Sequence, residues 1–348
     1  MNNKLYHKKL SERRWKHNLE RRNHKYNGGY NKLPEYVSLN EKQNKKTNQK
    51  VFEAPKNFSL VENTEETLDF INDSLGSIEN KQNKSILQDF SKISNITPDT
   101  ILYMMSIIED LQMNEVPFSI KGKYKNRKDE KSRILFEESG FLEHLNGKQE
   151  EIKNIQTDVL TIKVGEENQP TTAQEVVQYL RKWLDMERAE TKPIYSILIE
   201  CMTNTKNHAY KTKNKENQNT NNHKWYLMAY HTQNEVHFVF LDNGHGIPQT
   251  LRWYWKDLFS GTKWFDSKLI ESALQGKILR SQTGEDKRGK GLPKIYKTSK
   301  LNYVEELIII ANKGFVNCKN DTTKELKVKF KGTLISWKIK KNNEVTEL

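Results

Sequence analysis

The pattern of apolar and polar residues divides the chain into a polar first segment and two stretches that can each bury a core. Residues 1–54 contain no sustained apolar run, and we predict a basic tail that stays disordered until it meets a partner. The pattern then predicts a small α/β domain over 55–145 and a second folded domain over 172–348. Between them, the polar residues 146–171 are predicted as a linker or a domain edge, with one short strand-like run at 159–162.

The first predicted domain alternates strands with helices. Short apolar runs predict strands at 85–90 and 118–122. Between them, Thr97 suits the N-cap of a helix and Pro98 suits its first turn, because proline has no N–H to lose there. Apolar residues recur at helical spacing over 100–113, so we expect this helix to bury an apolar face.

The second predicted domain begins with helices and continues with strands. Helical spacing predicts helices at 172–188 and 192–210, and a low-complexity polar run over 211–222 predicts a surface loop. Apolar runs at 225–231 and 236–241 predict two strands. The predicted fold class of the whole chain is α/β, with a two-layer α+β arrangement in this second domain.

The positive charge of the chain is concentrated in its tail. The net charge is +13, and residues 1–50 contain fourteen Lys and Arg against four Glu. Clustered cations with interleaved aromatic residues suit nucleic-acid backbones and unpaired bases. The same composition also suits a disordered tail that only keeps the protein dissolved, and both interpretations remain open.

The sequence predicts a cytoplasmic protein that does not enter a membrane. The longest apolar candidate, Leu307–Ile310, is far too short to span a bilayer and is typical of a buried strand. The N-terminus is positively charged but has no apolar segment after it, so it does not resemble a secretory signal. Two cysteines, Cys201 and Cys318, are too few for a disulfide framework or a zinc site.

Three polar residues recur every four positions in the helix predicted at 192–210. Glu200, Asn204 and His208 would therefore share one face of that helix. Such a face is typical either of contact with solvent or of a site that uses an acid and an amide together. The spacing alone does not separate these two interpretations.

Three glycine-containing motifs follow this helix. In the first, an acid at a strand end is followed by glycines, which let the backbone approach a ligand closely. In the second, glycines stand directly before a predicted helix, where free N–H groups suit phosphate. The third opens the last predicted strand. The motifs are Asp242-Asn243-Gly244-His245-Gly246-Ile247-Pro248, Arg288-Gly289-Lys290-Gly291-Leu292 and Gly332-Thr333-Leu334-Ile335-Ser336.

The order and spacing of these four motifs resemble the GHKL superfamily. That superfamily includes type II topoisomerases, mismatch-repair proteins, histidine kinases and the anti-sigma-factor serine kinases. The resemblance covers residues 172–340, roughly half of the chain. It implies a Bergerat-type sandwich, in which helices cover one face of a mixed sheet, with ATP and Mg²⁺ as cofactors.

The resemblance assigns the polar helix face to the metal and the phosphates. Asn204 matches the magnesium ligand, and Glu200 matches the general base that activates water or a hydroxyl group. Asn207 and His208 belong to the implied nucleotide-binding set. Histidine kinases usually carry a basic residue where Asn207 stands, and their phospho-acceptor histidine is missing from 172–196. The position of His208 is closer to the anti-sigma-kinase pattern.

The resemblance assigns the glycine motifs to the base and to the phosphates. Asp242 matches the acid that accepts a hydrogen bond from the adenine amino group, and Thr333 matches the threonine that closes the adenine pocket. Residues 249–288 match the mobile lid. Lys290 either contacts phosphate or faces solvent. The remaining implied nucleotide-binding residues are Gly244, Gly246 and Ile247 at the purine and Gly289, Gly291 and Leu292 at the phosphates.

Residues 55–145 have a fainter resemblance to STAS domains, the partners of anti-sigma kinases. Asp89-Phe90-Ser91, the turn before Pro98 and the helix after it resemble that family's strand–phosphosite–helix element. The paired serines and the glycine of the family are absent. Thr97 is therefore either a phospho-acceptor or only a helix N-cap, which would explain it fully.

These resemblances imply an ATP-binding protein whose lid closure controls contact with a protein partner or with a second copy. One expected function is a Mg²⁺-dependent ATPase that uses Glu200 to activate water. An alternative is a serine/threonine kinase that uses the same glutamate on a protein hydroxyl. A further alternative is a non-catalytic nucleotide sensor that binds nucleic acid through residues 1–50.

Overall fold

The chain is a mixed α and β protein. The computed structural model describes residues 37–38, 49–113, 118–123, 139, 141, 159–209, 224–232, 234–254, 264–278 and 291–341. Its elements in chain order are β1 (Val37–Ser38), β2 (Lys50–Glu53), β3 (Asn57–Phe58), α1 (Thr64–Glu79), β4 (Ser85–Asp89), β5 (Asn95–Ile96), α2 (Pro98–Met113), β6 (Ser119–Lys123), β7 (Val159–Gly165), α3 (Pro170–Leu184), α4 (Arg188–Asn204), a π-helix (Thr205–Ala209), β8 (Trp225–Thr232), β9 (Glu235–Asp242), α5 (Ile247–Tyr254), α6 (Asp266–Leu274), α7 (Gly291–Ser299), β10 (Val304–Asn317) and β11 (Thr322–Lys340).

The N-terminal unit, residues 49–123 together with β1, contains a parallel sheet. Its strand order is β1–β6–β4–β2, and each of these pairings is parallel. The strands predicted at 85–90 and 118–122 are confirmed as β4 and β6, and the helix predicted between them is confirmed as α2. Strands β1 and β2 come from the predicted tail, and the rest of the tail, up to residue 48, lies outside the described residues.

Helix α2 begins at Pro98, as predicted, and its first turn is buried. The Thr97 carbonyl oxygen accepts the N–H of Thr100 at 3.2 Å, and Thr97 is only 7% exposed. In the first turn, the Asp99 carboxylate accepts the N–H of Leu60 at 2.7 Å. This bond ties the start of α2 to the segment that precedes α1. Burial raises the pKa of Asp99.

The second sheet is antiparallel. Its strand order is β10–β11–β9–β8–β7, and each pairing among these described strands is antiparallel. It therefore differs from the mixed sheet that the resemblance implied. Two of the pairings have a local reason, because only short connections join β8 to β9 and β10 to β11, and such connections require antiparallel neighbours. Strand β7 supplies an edge of this sheet from within residues 146–171, which were predicted as a linker or a domain edge.

Both faces of the second sheet are covered, which explains the continuous apolar runs of its strands. In β8, Trp225 and Leu227 pack into a core with α3, α4 and α7. Tyr226 and Met228 alternate with them and pack into the core of the N-terminal unit. Helices of the second predicted domain therefore lie on one face of the sheet, and α1 and α2 of the N-terminal unit lie on the other.

Helix α2 contacts strand β11 directly. Tyr103 stacks on Phe330 with ring centroids 4.2 Å apart, and its hydroxyl accepts the N–H of Lys331 at 3.1 Å. The Lys331 ammonium group pairs with Asp110 at 2.8 Å. The N-terminal unit is thus held against the strand that carries the third glycine motif.

Part of the predicted lid belongs to the core. Within 249–288, helix α6 buries Ile270 and Leu274 in the core that also contains the strands of the second sheet. The Glu325 carboxylate of β11 accepts the first two backbone N–H groups of α6 at 3.1 and 3.0 Å. Residues 255–263 and 279–288 of the predicted lid lie outside the described residues.

Candidate functional site

Asp242 ends strand β9 and is buried at the turn that follows. The Gly244 N–H donates to its carboxylate at 2.9 Å, and the backbone N–H of Thr333, its register partner on β11, donates as well. Burial raises the pKa of Asp242 to about 7, although the two N–H groups act in the opposite direction. A buried carboxyl group with such a pKa is typical of a functional site.

Strand β11 is distorted next to Asp242. The strand begins at Thr322, so Gly332 lies within it and does not open it as predicted. Gly332 has a φ of 89°, and a side chain there would overlap the Asp242 carbonyl oxygen. Only glycine fits both conditions. This distortion sets Thr333 beside Asp242 and buries it.

The first glycine motif packs against the end of the polar helix. The His245 N–H donates to the Ala209 carbonyl oxygen at 2.7 Å. A Cβ atom on Gly244 would lie 2.5 Å from the Ala209 Cβ, which is closer than two carbon atoms approach. The missing side chain of Gly244 therefore lets the Asp242 turn reach the π-helix that carries half-buried Asn207.

The second glycine motif meets the same helix at Glu200 and Asn204. Gly291 is the first residue of α7. A Cβ atom on Gly291 would lie 2.8 Å from Glu200 Oε2 and 3.6 Å from Asn204 Nδ2. Both side chains are half-buried. The acid and the amide thus lie at the N-terminus of a nine-residue helix, where free N–H groups and the helix dipole favour anions.

Cys201 is near both acids of the site. It is 2% exposed, and burial raises the pKa of its thiol well above the usual value, with smaller contributions from the charges of Asp242 and Glu200. The thiol is therefore neutral and unreactive at ordinary pH.

The first and second glycine motifs also meet through Ile247 and Leu292, which pack against one small apolar cluster.

Three of the predicted nucleotide-binding residues are not fully described by the structure. Gly289 and Lys290 lie outside the described residues, and so does the side chain of His208. The backbone of His208 is in the π-helix, whose turn is wider than that of an α-helix. The α-helical backbone on which the shared face was predicted therefore ends at Asn204.

Sequence reasoning missed two asparagine side chains that hold the first glycine motif. Asn312 of β10 donates to the His245 carbonyl oxygen at 3.0 Å. Asn243 donates to the Ser106 carbonyl oxygen at 3.2 Å and to the Asp110 carboxylate at 3.1 Å, both on α2. Asn243 stands inside a motif that drew attention only to its glycines. No sequence motif around Asn312 indicates its role, because its partner His245 is distant in sequence.

Comparisons with known proteins assign no family to this chain. It matches no protein-family model, and no curated protein is significantly similar to it in sequence. None of the helices in the described ranges is long and apolar enough to cross a membrane. Among the same residues, no group of three or more His, Cys, Asp or Glu side chains is arranged to hold a metal ion.

Replacing Asp242 with Asn should change how stability depends on pH. Because the pKa of Asp242 is raised from 3.8 to about 7, the folded protein binds this proton more tightly than the unfolded chain does. The free energy of unfolding of the wild type therefore falls as the pH rises from about 4 to about 7, and the Asn variant escapes that loss.

At 1.36 kcal/mol for each pKa unit, the Asp242→Asn variant should gain up to about 4 kcal/mol relative to the wild type across this window. Urea denaturation of both proteins at several pH values measures the difference. Parallel pH profiles would contradict the raised pKa of the buried Asp242 carboxyl group.

Proposed function

We propose that this chain binds ATP with Mg²⁺ in a GHKL-type site and hydrolyses it, and that lid closure on the nucleotide controls contact with a partner. The observation that carries the proposal is the convergence of four separate motifs on one site. Gly291 contacts Glu200 and Asn204, at the polar helix. Gly244 contacts the end of the same helix, and Asp242 pairs with Thr333.

The Asp242 turn suits an adenine base. An ionised carboxylate accepts the hydrogen bond that the adenine amino group offers, and burial strengthens such a bond. Neighbouring protein atoms fill the Cβ positions of Gly244 and Gly246, so these glycines let the turn pack closely around the Asp242 site. Guanine carries an oxygen where adenine carries its amino group, so the same carboxylate would disfavour GTP.

The start of α7 suits the phosphates of the nucleotide. Its free N–H groups favour negative charge. The Asn204 amide group, whose nitrogen is its atom nearest to Gly291, also carries an oxygen of the type that Mg²⁺ accepts. Mg²⁺ usually keeps several waters and takes phosphate oxygens as further ligands, so a site of this kind does not require a cluster of carboxylates. When bound, the ion neutralises charge on the phosphates.

Glu200 suits the role of general base. Its carboxylate oxygen lies beside Gly291, at the helix end that faces the phosphates. A carboxylate in reach of the terminal phosphate can take the proton of an attacking water molecule, while the bond between that phosphate and ADP breaks.

Burial of Thr97 favours hydrolysis over phosphorylation within the chain. A kinase needs an accessible hydroxyl group, and Thr97 was the acceptor that the sequence suggested. Thr97 is 7% exposed and directly precedes helix α2, so its hydroxyl could reach an active site only if the start of that helix unfolded. Burial therefore disfavours Thr97 as a phospho-acceptor, whereas hydrolysis needs no protein hydroxyl group.

ATP labelled at the γ-phosphate tests the proposal with the full chain and Mg²⁺. The ATPase function predicts labelled free phosphate. Labelled protein would support a kinase instead. Nucleotide binding without either product would support a sensor, and deletion of residues 1–50 should then remove nucleic-acid binding together with its steep salt dependence. Folded protein that binds no ATP would contradict all three functions.

A further inference from the structure

Asn312 of strand β10 lies opposite the first glycine motif in an unusual conformation. It is 3% exposed and has a φ of 53°, in the left-handed region that side chains rarely adopt. The pairing of β10 with β11 shifts at this residue, which leaves Lys331 and Gly332 in a bulge. The bulge therefore brings Asn312 to the turn that follows Asp242.

The Asn312 side chain bridges the two ends of the Gly246 turn. Its Nδ2 donates to the His245 carbonyl oxygen at 3.0 Å, and its Oδ1 accepts the Gln249 N–H at 3.3 Å. Gln249 is in the first turn of α5, where backbone N–H groups have no partner within the helix. One amide thus supplies both the donor and the acceptor that this turn needs.

Gly246 is fitted closely to that amide. It has a φ of 83°, and a Cβ atom there would lie 2.6 Å from Asn312 Oδ1 and 2.9 Å from the Gly332 carbonyl oxygen. The turn therefore lies this close to β10 and β11 only because residue 246 has no side chain. Its other end is held by the hydrogen bond from the Gly244 N–H to Asp242.

We propose that Asn312 is a positioning residue for the adenine base, because it fixes the glycine turn relative to the Asp242 carboxylate. This proposal rests on the proposed nucleotide function. In the proposed site, the Asp242 carboxylate accepts a hydrogen bond from the adenine base, and the backbone of the glycine turn lies against the adenine ring. Both contacts can form together only when the distance between the carboxylate and the turn is fixed. Asn312 fixes the position of the glycine turn through its two hydrogen bonds, and it does not itself need to contact the nucleotide.

Two substitutions separate this role from a purely structural one. Asn312→Gly removes the amide, but it keeps the backbone because glycine adopts a φ of 53° without strain. Asn312→Asp keeps an acceptor for the Gln249 N–H and replaces the donor to His245 with an oxygen. Asp185→Gly is a matched control, because Asp185 also has a left-handed φ of 54°, at the C-terminal end of α3.

The test is the ratio between the affinity of the full chain for ATP and its affinity for GTP, each measured with Mg²⁺. Isothermal titration calorimetry measures them, and circular dichroism establishes that each variant is folded. The wild type should prefer ATP. Asn312→Gly should weaken ATP binding about 10-fold, because the turn loses both hydrogen bonds that preorganise it for the base. GTP binding should fall less, so the preference for ATP should shrink, whereas Asp185→Gly should keep it.

An unchanged preference for ATP in the folded Asn312→Gly variant would overturn the proposal. Equal weakening of both nucleotides would overturn it too, because a structural role affects them alike. If Asn312→Gly does not fold, the same ratio measured with Asn312→Asp decides. A folded wild type that binds neither nucleotide contradicts the proposed function, and this proposal with it, so the two failures are distinguishable.

Discussion

Glu200→Gln should remove ATP turnover while ATP binding survives. Glutamine has nearly the size of glutamate, so the contact with Gly291 is kept, but an amide cannot accept the proton of the attacking water molecule. General-base catalysis typically contributes about 100- to 10,000-fold, and we expect a fall in kcat of about 100-fold or more. Phosphate release at saturating ATP measures kcat, and calorimetry measures binding.

Glu166→Gln is the control for this substitution, because Glu166 is exposed and precedes α3. It should leave both turnover and binding unchanged. If Glu200→Gln weakened ATP binding as strongly as turnover, Glu200 would act in binding and not as the base. Unchanged turnover in the variant would remove Glu200 from the chemistry altogether.

Phe330→Ala should destabilise both halves of the molecule together. Phe330 is fully buried, and its ring stacks on Tyr103 of the N-terminal unit. Truncation of a buried phenylalanine costs about 3–5 kcal/mol, because it removes apolar contacts and leaves a cavity. Since the cavity would open between the N-terminal unit and strand β11, we expect one unfolding transition, shifted as a whole, in urea denaturation.

Phe265→Ala is the matched control, because Phe265 is 58% exposed. Its free energy of unfolding should change by less than about 0.5 kcal/mol. Two separate transitions, of which Phe330→Ala moved only one, would contradict the shared core of the N-terminal unit and the second sheet. Calorimetry can check the cooperativity independently of urea.

The elements and motifs that depend on local spacing could be predicted from the sequence. Helix α2 begins at Pro98 as predicted, because the N-cap pattern and the apolar spacing are contained in that segment. Asp242 ends its strand, and Gly291 begins a helix beside Glu200 and Asn204. The family resemblance led us to expect that these motifs lie close together, and the structure shows which of their residues are neighbours.

The remaining features depend on contacts between distant segments. A continuous apolar run indicates that a strand is buried, but it does not reveal that α1 and α2 cover its second face. The start of β11 at Thr322 depends on its pairing with β10, since the residues before Gly332 are individually polar or charged at many positions. Asn312 lies 67 residues from His245, so no spacing rule joins them.

Magnesium-dependent ATP binding by the full chain tests the nucleotide site most directly. Calorimetry should detect ATP binding by the wild type. With Asp242→Asn, binding should be at least about 10-fold weaker, because an amide donor then faces the adenine amino group and a charged hydrogen bond is lost. Circular dichroism must show that both proteins are folded. A folded wild type that binds no ATP, or a variant with undiminished affinity, would contradict the assignment of Asp242 and with it the proposed function.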